Sequence, residues 1–129
     1  MGTADFSLSP ETAARADRGN ATVRQILGIG QLEPTTPYRA AGRDFVFAEV
    51  WSRPGLDRRS RFWITLSCVC ATGAALPMET YLRAALNSGE ITGAELREFV
   101  LQFAVFQGFP RGAEIELMLD RIEHEGKSD

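Results

Sequence analysis

Apolar residues recur at spacings of three and four along most of the chain, and no run alternates with period two, so the pattern predicts helices and no sheet. A first helix is expected from Pro10, with Ser9 as cap, Pro10 where its missing N–H costs nothing, and Glu11 at the positive end. It carries Ala13, Ala14, Ala16, Val23, Ile26 and Leu27, has Gly19 as a candidate break, and ends at Gly28-Ile29-Gly30. A turn-rich connector, Glu33-Pro34-Thr35-Thr36-Pro37, leads to a second helix with Phe45, Val46, Ala48, Glu49 and Trp51, which Ser52-Arg53-Pro54-Gly55 must stop. Asp57 is a fair cap for a third. Its apolar residues, Phe62, Trp63, Ile64, Leu66, Val69 and Ala71, surround most of the cylinder, which suits the middle of a domain or a subunit contact.

A fourth helix is expected from Pro77 to Asn87, with Met78, Leu82, Ala85 and Leu86 at helical spacing. Thr92-Gly93-Ala94-Glu95 has the form of a capping box, in which hydroxyl and carboxylate satisfy each other's free backbone N–H groups. The fifth helix then carries Leu96, Phe99, Val100, Phe103 and Phe106 and stops at Gly108-Phe109-Pro110; the sixth carries Ile115, Met118, Leu119 and Ile122. Residues 1–9 read as a flexible arm, residues 10–126 as a single all-α domain, and the polar tail from Glu123 to Asp129 as a segment that frays.

Composition narrows the function classes. With 129 residues and 44% apolar content, one core can be filled without metals or crosslinks. A formal charge of −3 gives no basic excess, so nucleic acid is a poor partner. No apolar run reaches the roughly 18 residues of a membrane span, and the opening Met1-Gly2-Thr3-Ala4-Asp5 is unlike a secretory signal; a cytoplasmic location with no membrane partner is expected. Cys68 and Cys70 suit neither a disulfide framework nor a four-ligand zinc site. On a helix they point about 200° apart, and both are read as small buried core residues.

The segment Glu49-Val50-Trp51-Ser52-Arg53-Pro54-Gly55-Leu56-Asp57-Arg58-Arg59-Ser60-Arg61 resembles the signature of the carboxymuconolactone decarboxylase family. Two further blocks follow in order, Leu82 to Gly89 with Ile91-Thr92, and Glu95 to Pro110; upstream the likeness extends to Val23-Arg24-Gln25-Ile26-Leu27-Gly28. The resemblance implies a six-helix fold shared with alkylhydroperoxidases, subunits assembled as homotrimers or homohexamers, and a decarboxylation of a small acidic lactone with no cofactor and no metal. A second branch of that fold uses a Cys-x-x-Cys pair and a His. Those cysteines would fall near Ala74 and Pro77, so peroxidase chemistry has no thiol pair here.

Loss of CO₂ from a carboxylactone sends electrons into a conjugated carbonyl, so a site needs a cationic or hydrogen-bonding clamp and an acid. Arg53, beside Trp51, and Arg83 are candidate clamps, and Arg24 is a third by resemblance; the alternative for each is a solvated or ion-pair role. The family's His is replaced by Tyr81, the candidate proton donor, while the sole His124 belongs to the polar tail. Glu49, in an apolar stretch, is either a carboxylate with raised pKa or the partner of an arginine. The family's Tyr on the fifth helix is replaced by Phe106, next to Gln107; Gln102 and Gln107 are amides that need partners if buried. Phe106, Gln107 and Trp51 are taken as substrate-binding. Losing His and Tyr together points to a less charged, more apolar substrate than 4-carboxymuconolactone, a small unsaturated lactone or carbonyl acid. The alternative is a non-catalytic oligomer that binds a small molecule.

Overall fold

The computed structural model describes residues 10–29 and 36–127. The expected arm, the Ser9 cap, Gly30 and the Glu33-Pro34-Thr35 part of the connector lie outside the described residues. Every regular element among the described residues is helical, as the spacing predicts, and none is long and apolar enough to cross a membrane. Contacts divide the chain into two compact units, Met1–Asp57 and Arg58–Asp129.

In the first unit, α1 spans Pro10–Leu27 without interruption. Gly19 does not break it. Ala16, Gly19, Val23 and Ile26 form one buried stripe at spacings of three and four, and a β-carbon at Gly19 would lie 2.1 Å from the carbonyl oxygen of Arg43. The glycine marks a close approach of two helices, which outweighs its cost of about 1 kcal/mol in a helix interior. Gly28, with φ of +72°, closes the helix.

The second helix starts at a cap. The Thr36 hydroxyl accepts from the Arg39 N–H at 3.2 Å, and Pro37 takes the first helical position. One α-helical turn, α2 (Pro37–Ala41), passes into a π-helical stretch, Gly42–Val50, which closes where the Trp51 N–H donates to the Val46 carbonyl five residues back at 2.9 Å. Phe47, Ala48 and Trp51 are buried, whereas Phe45 is exposed. Arg43 is also buried, with its guanidinium on the Asp44 carboxylate at 2.6 and 3.2 Å.

The second unit holds α3 (Arg58–Thr72), α4 (Ala75–Ser88), α5 (Gly93–Gln107) and α6 (Phe109–Lys127). Helix α3 packs on α4, and α5 on α6. Phe62, Leu66 and Cys70 form the buried stripe of α3, while Ile64 on the opposite side is 52% exposed, so this helix is not covered all round. Cys68 is exposed, which corrects the expectation of two buried thiols; the divergence of the pair around the axis holds. Met78, Leu82 and Ala85 of α4, Leu96, Val100 and Phe103 of α5, and Ile115, Leu119 and Ile122 of α6 supply the rest of the core. Each large apolar side chain among them contributes about 1.5–3 kcal/mol by leaving water.

Helix α4 starts two residues before Pro77, which its first turn tolerates, and ends on Gly89 in the left-handed conformation, φ 77°. The capping box forms as expected, with the Glu95 N–H on the Thr92 hydroxyl at 3.1 Å and the Thr92 N–H on Glu95 Oε1 at 3.0 Å. A β-carbon at Gly112 would lie 2.7 Å from that of Ala104, so α6 approaches α5 closely. The tail does not fray at Glu123. Arg97 holds Asp120 at 2.9 Å and Glu123 at 3.0 Å, and Arg83 holds Glu125 at 2.6 Å, so α6 continues to Lys127.

Candidate functional site

The π-helical stretch sets Glu49 against α1. Its Oε1 accepts a hydrogen bond from Arg18 Nη2 at 2.9 Å, and the buried Arg15 Nε lies 3.1 Å from the same oxygen, an ion-pair contact whose N–H misses the hydrogen-bond direction. Of the two alternatives for Glu49, the structure displays the ion pair, with partners more than thirty residues away in sequence. Trp51 is buried and stacked on Phe47, ring centroids 6.5 Å apart and planes within 13°. Arg24 sits exposed on the last turn of α1, and Arg53 lies on the exposed turn that follows Trp51.

On α4, Tyr81 is half-buried and Arg83 partly exposed. Two residues apart on a regular α-helix, they point about 200° away from each other. Arg83 is directed to Glu79 and, across to α6, to Glu125, and the Glu125 hydrogen bond is the main reason its pKa is raised. Its guanidinium is thus engaged in ion pairs and does not share a face with Tyr81. His124 is exposed on α6, a helical residue rather than one in a loose tail.

Phe106 and Gln107 come together at the C-terminal end of α5, where with Ser67, Phe99, Gln102 and Phe103 they line a cavity of about 240 Å³. Ser67, Phe99 and Gln102 also line a neighbouring cavity of about 570 Å³, with Trp63, Glu95 and Glu98, so the two form one groove along α3 and α5. Its wall is a row of rings: Trp63 and Phe99 lie 5.7 Å apart with planes at 30°, and Phe99 and Phe103 lie 5.7 Å apart at 38°. Phe106 is 77% exposed, and both Gln102 and Gln107 are exposed, so neither amide needs a partner inside the protein.

Arg59 stands at the N-terminal end of this groove, 5.6 Å from the centroid of Trp63. It donates to the Glu90 carbonyl at 2.7 Å and to both carboxylate oxygens of Glu95, at 3.0 Å to Oε1 and closer to Oε2. The Arg59 hydrogen bonds, with help from the Thr92 backbone, lower the Glu95 pKa to about 2. In the sequence Arg59 stands out only as part of the family-like segment, Trp63 only among the apolar residues of the third helix, and Phe99 only among those of the fifth. The signal available was their spacing: Arg59 and Trp63 are four apart on α3, as are Glu95 and Phe99 on α5, so each helix presents a charge and a ring on one face.

The chain is similar to nitrosuccinic acid decarboxylase npaB of Metarhizium robertsii, 34% identical over 73% of this chain and 71% of that protein. It is also similar to 4-carboxymuconolactone decarboxylase of Acinetobacter baylyi, 39% identical over 51% of this chain and 48% of that protein, about half the length of each. No family model matches the chain.

Proposed function

The chain belongs to the carboxymuconolactone decarboxylase family, and from that premise we propose that it is a decarboxylase-type lyase acting on a small acid that carries its own electron sink. The observation that carries this reading is the likeness to a nitrosuccinic acid decarboxylase across nearly three-quarters of the chain. The two relatives are named for different substrates with one common feature. In nitrosuccinic acid a nitro group, and in 4-carboxymuconolactone an unsaturated lactone carbonyl, can take the electron pair left when CO₂ departs. A substrate built this way needs no cofactor to hold the pair.

The C–C bond to the carboxylate breaks, CO₂ leaves, and the pair moves onto the sink as an enolate or nitronate, which a proton then quenches at carbon. Tyr81 is the proposed proton or hydrogen-bond donor. Arg53 and Glu49 keep their proposed clamp and carboxylate roles, whereas Arg83, tied to Glu79 and Glu125, is the weaker clamp. The replacement of the family's His and Tyr by Tyr81 and Phe106 supports a substrate more apolar than 4-carboxymuconolactone.

The test is CO₂ release from a panel containing 2-nitrosuccinate, unsaturated lactone acids and 4-carboxymuconolactone. Turnover of a nitro, carbonyl or lactone acid, with 4-carboxymuconolactone a poor substrate, is expected; strong turnover of the latter removes the divergence argument. No release from any member shifts the reading to a non-catalytic oligomer that binds a small molecule. Tyr81→Phe should lower kcat by about 10²-fold or more with the helical signal intact, and unchanged activity removes Tyr81 from the mechanism.

A homotrimer or homohexamer is part of the proposal. Leu101, Val105, Phe109 and Leu117 are each more than half exposed on α5 and α6, an apolar surface that a second copy would cover. Sedimentation at micromolar concentration reads this directly, and a monomer contradicts it.

A further inference from the structure

The larger cavity of the groove along α3 and α5, lined by Trp63, Glu95, Glu98 and Phe99, has a charge pattern that does not suit a carboxylic acid. Its cation, Arg59, is already bound to the Glu95 carboxylate and the Glu90 carbonyl and covers the Trp63 ring. Its second carboxylate, Glu98, makes no ion pair or hydrogen bond among the described residues. The Arg59 and Glu95 charges cancel, and Glu98 leaves one net negative charge beside the Trp63 and Phe99 rings. A carboxylate entering here would meet Glu98 with no cation among the described residues that line the cavity to offset it.

We propose that this larger cavity, beside the smaller one lined by Phe106 and Gln107, is a second binding site, for a flat aromatic molecule bearing a protonated amine. The ring of such a ligand packs against Trp63 and Phe99, which line the cavity with centroids 5.7 Å apart. The ammonium forms a charge-assisted hydrogen bond with Glu98 and lies close enough to an aromatic face for cation–π attraction. Gln102, exposed on the next turn of α5, supplies an amide oxygen for a second N–H. At about 570 Å³ the cavity is within the usual range for small-molecule sites and accommodates a fused ring pair. Because the ligand is a cation, it is chemically distinct from the acid that decarboxylation consumes, and the inference does not depend on that activity.

A matched pair of probes, 2-naphthylmethylamine and 2-naphthylacetate, isolates the charge term when each is titrated calorimetrically into the intact protein at neutral pH. Binding of the amine at least tenfold tighter than the acid is expected. Glu98→Gln, an isosteric change on an exposed position, should remove most of that preference, while Phe99→Ala should weaken both probes by a similar factor. Equal or tighter binding of the acid, no binding of either probe at millimolar concentration, or an undiminished preference in Glu98→Gln would each overturn the proposal.

Discussion

The carbonyl oxygen of Arg43 occupies the space where a β-carbon at Gly19 would stand, 2.1 Å from its ideal position. Backbone cannot move aside as a flexible side chain can. Gly19→Ala should therefore destabilise the protein by about 1–3 kcal/mol, although alanine is favoured over glycine in a free helix by about 1 kcal/mol. The control is Gly126→Ala, also helical, where the added methyl meets nothing within 4 Å and a small gain is expected. Urea unfolding of the two variants reads opposite signs; a stabilised Gly19→Ala would show that α1 can shift off the π-helical stretch.

Glu49 holds two arginines while remaining partly in water, its side chain 41% exposed. Such a pair is screened, so Glu49→Gln should cost less than about 1 kcal/mol of stability. If Glu49 serves the decarboxylation, activity falls far more than this loss explains. Parallel measurement of denaturation midpoint and CO₂ release separates the two roles, and an active, slightly destabilised variant reduces Glu49 to an ion-pair partner.

Glu95 ties the start of α5 to Arg59, and its folded pKa of about 2 lies below the ordinary value of 4.5. A carboxylate with a depressed folded pKa contributes stability that is present above its unfolded pKa and is lost as pH falls toward the folded one. Stability should thus decline between about pH 4.5 and pH 2, and Glu95→Gln should be less stable near neutrality with a shallower decline across that window. Denaturation midpoints at a series of pH values check this; parallel profiles for the two proteins would contradict it.

The two thiols differ in environment. Burial pushes Cys70 up to about 11, only partly opposed by the positive charge of Arg111, whereas Cys68 is exposed. Only the thiolate attacks an alkylating reagent. Native protein at pH 8 should take one iodoacetamide adduct, at Cys68, and a second only after unfolding, as mass spectrometry of the digested protein would show. Rapid double labelling would mean that α3 opens on the timescale of the reaction.

What could be read in the sequence was what neighbouring residues decide. The Thr92 and Glu95 capping box and the apolar spacing of α4, α5 and α6 depend on contacts within a turn or two, and each appears as expected, whereas Pro37, read as the end of a connector, begins a helix. Features set by distant partners were harder to see. Gly19 looked like a break because its reason, Arg43, is 24 residues on, and the tail looked loose because its anchors, Arg83 and Arg97, belong to earlier helices. The candidate site divides the same way. Phe106 and Gln107 share a cavity as their adjacency allowed, whereas the partners of Glu49 on α1 and the Arg59 bridge to Glu95 across 36 residues carry no local signature.

The stretch from Gly42 to Val50 closes its hydrogen bonds one residue later than an α-helix would. It therefore holds surplus chain length within a regular element. Removing a single residue there could be absorbed by tightening to the ordinary helical turn, with the flanking segments kept in place. Homologues that differ in length by one residue are expected to carry the gap here rather than in a loop, and a designed one-residue deletion in this stretch should fold where the same deletion in the middle of α5 should not.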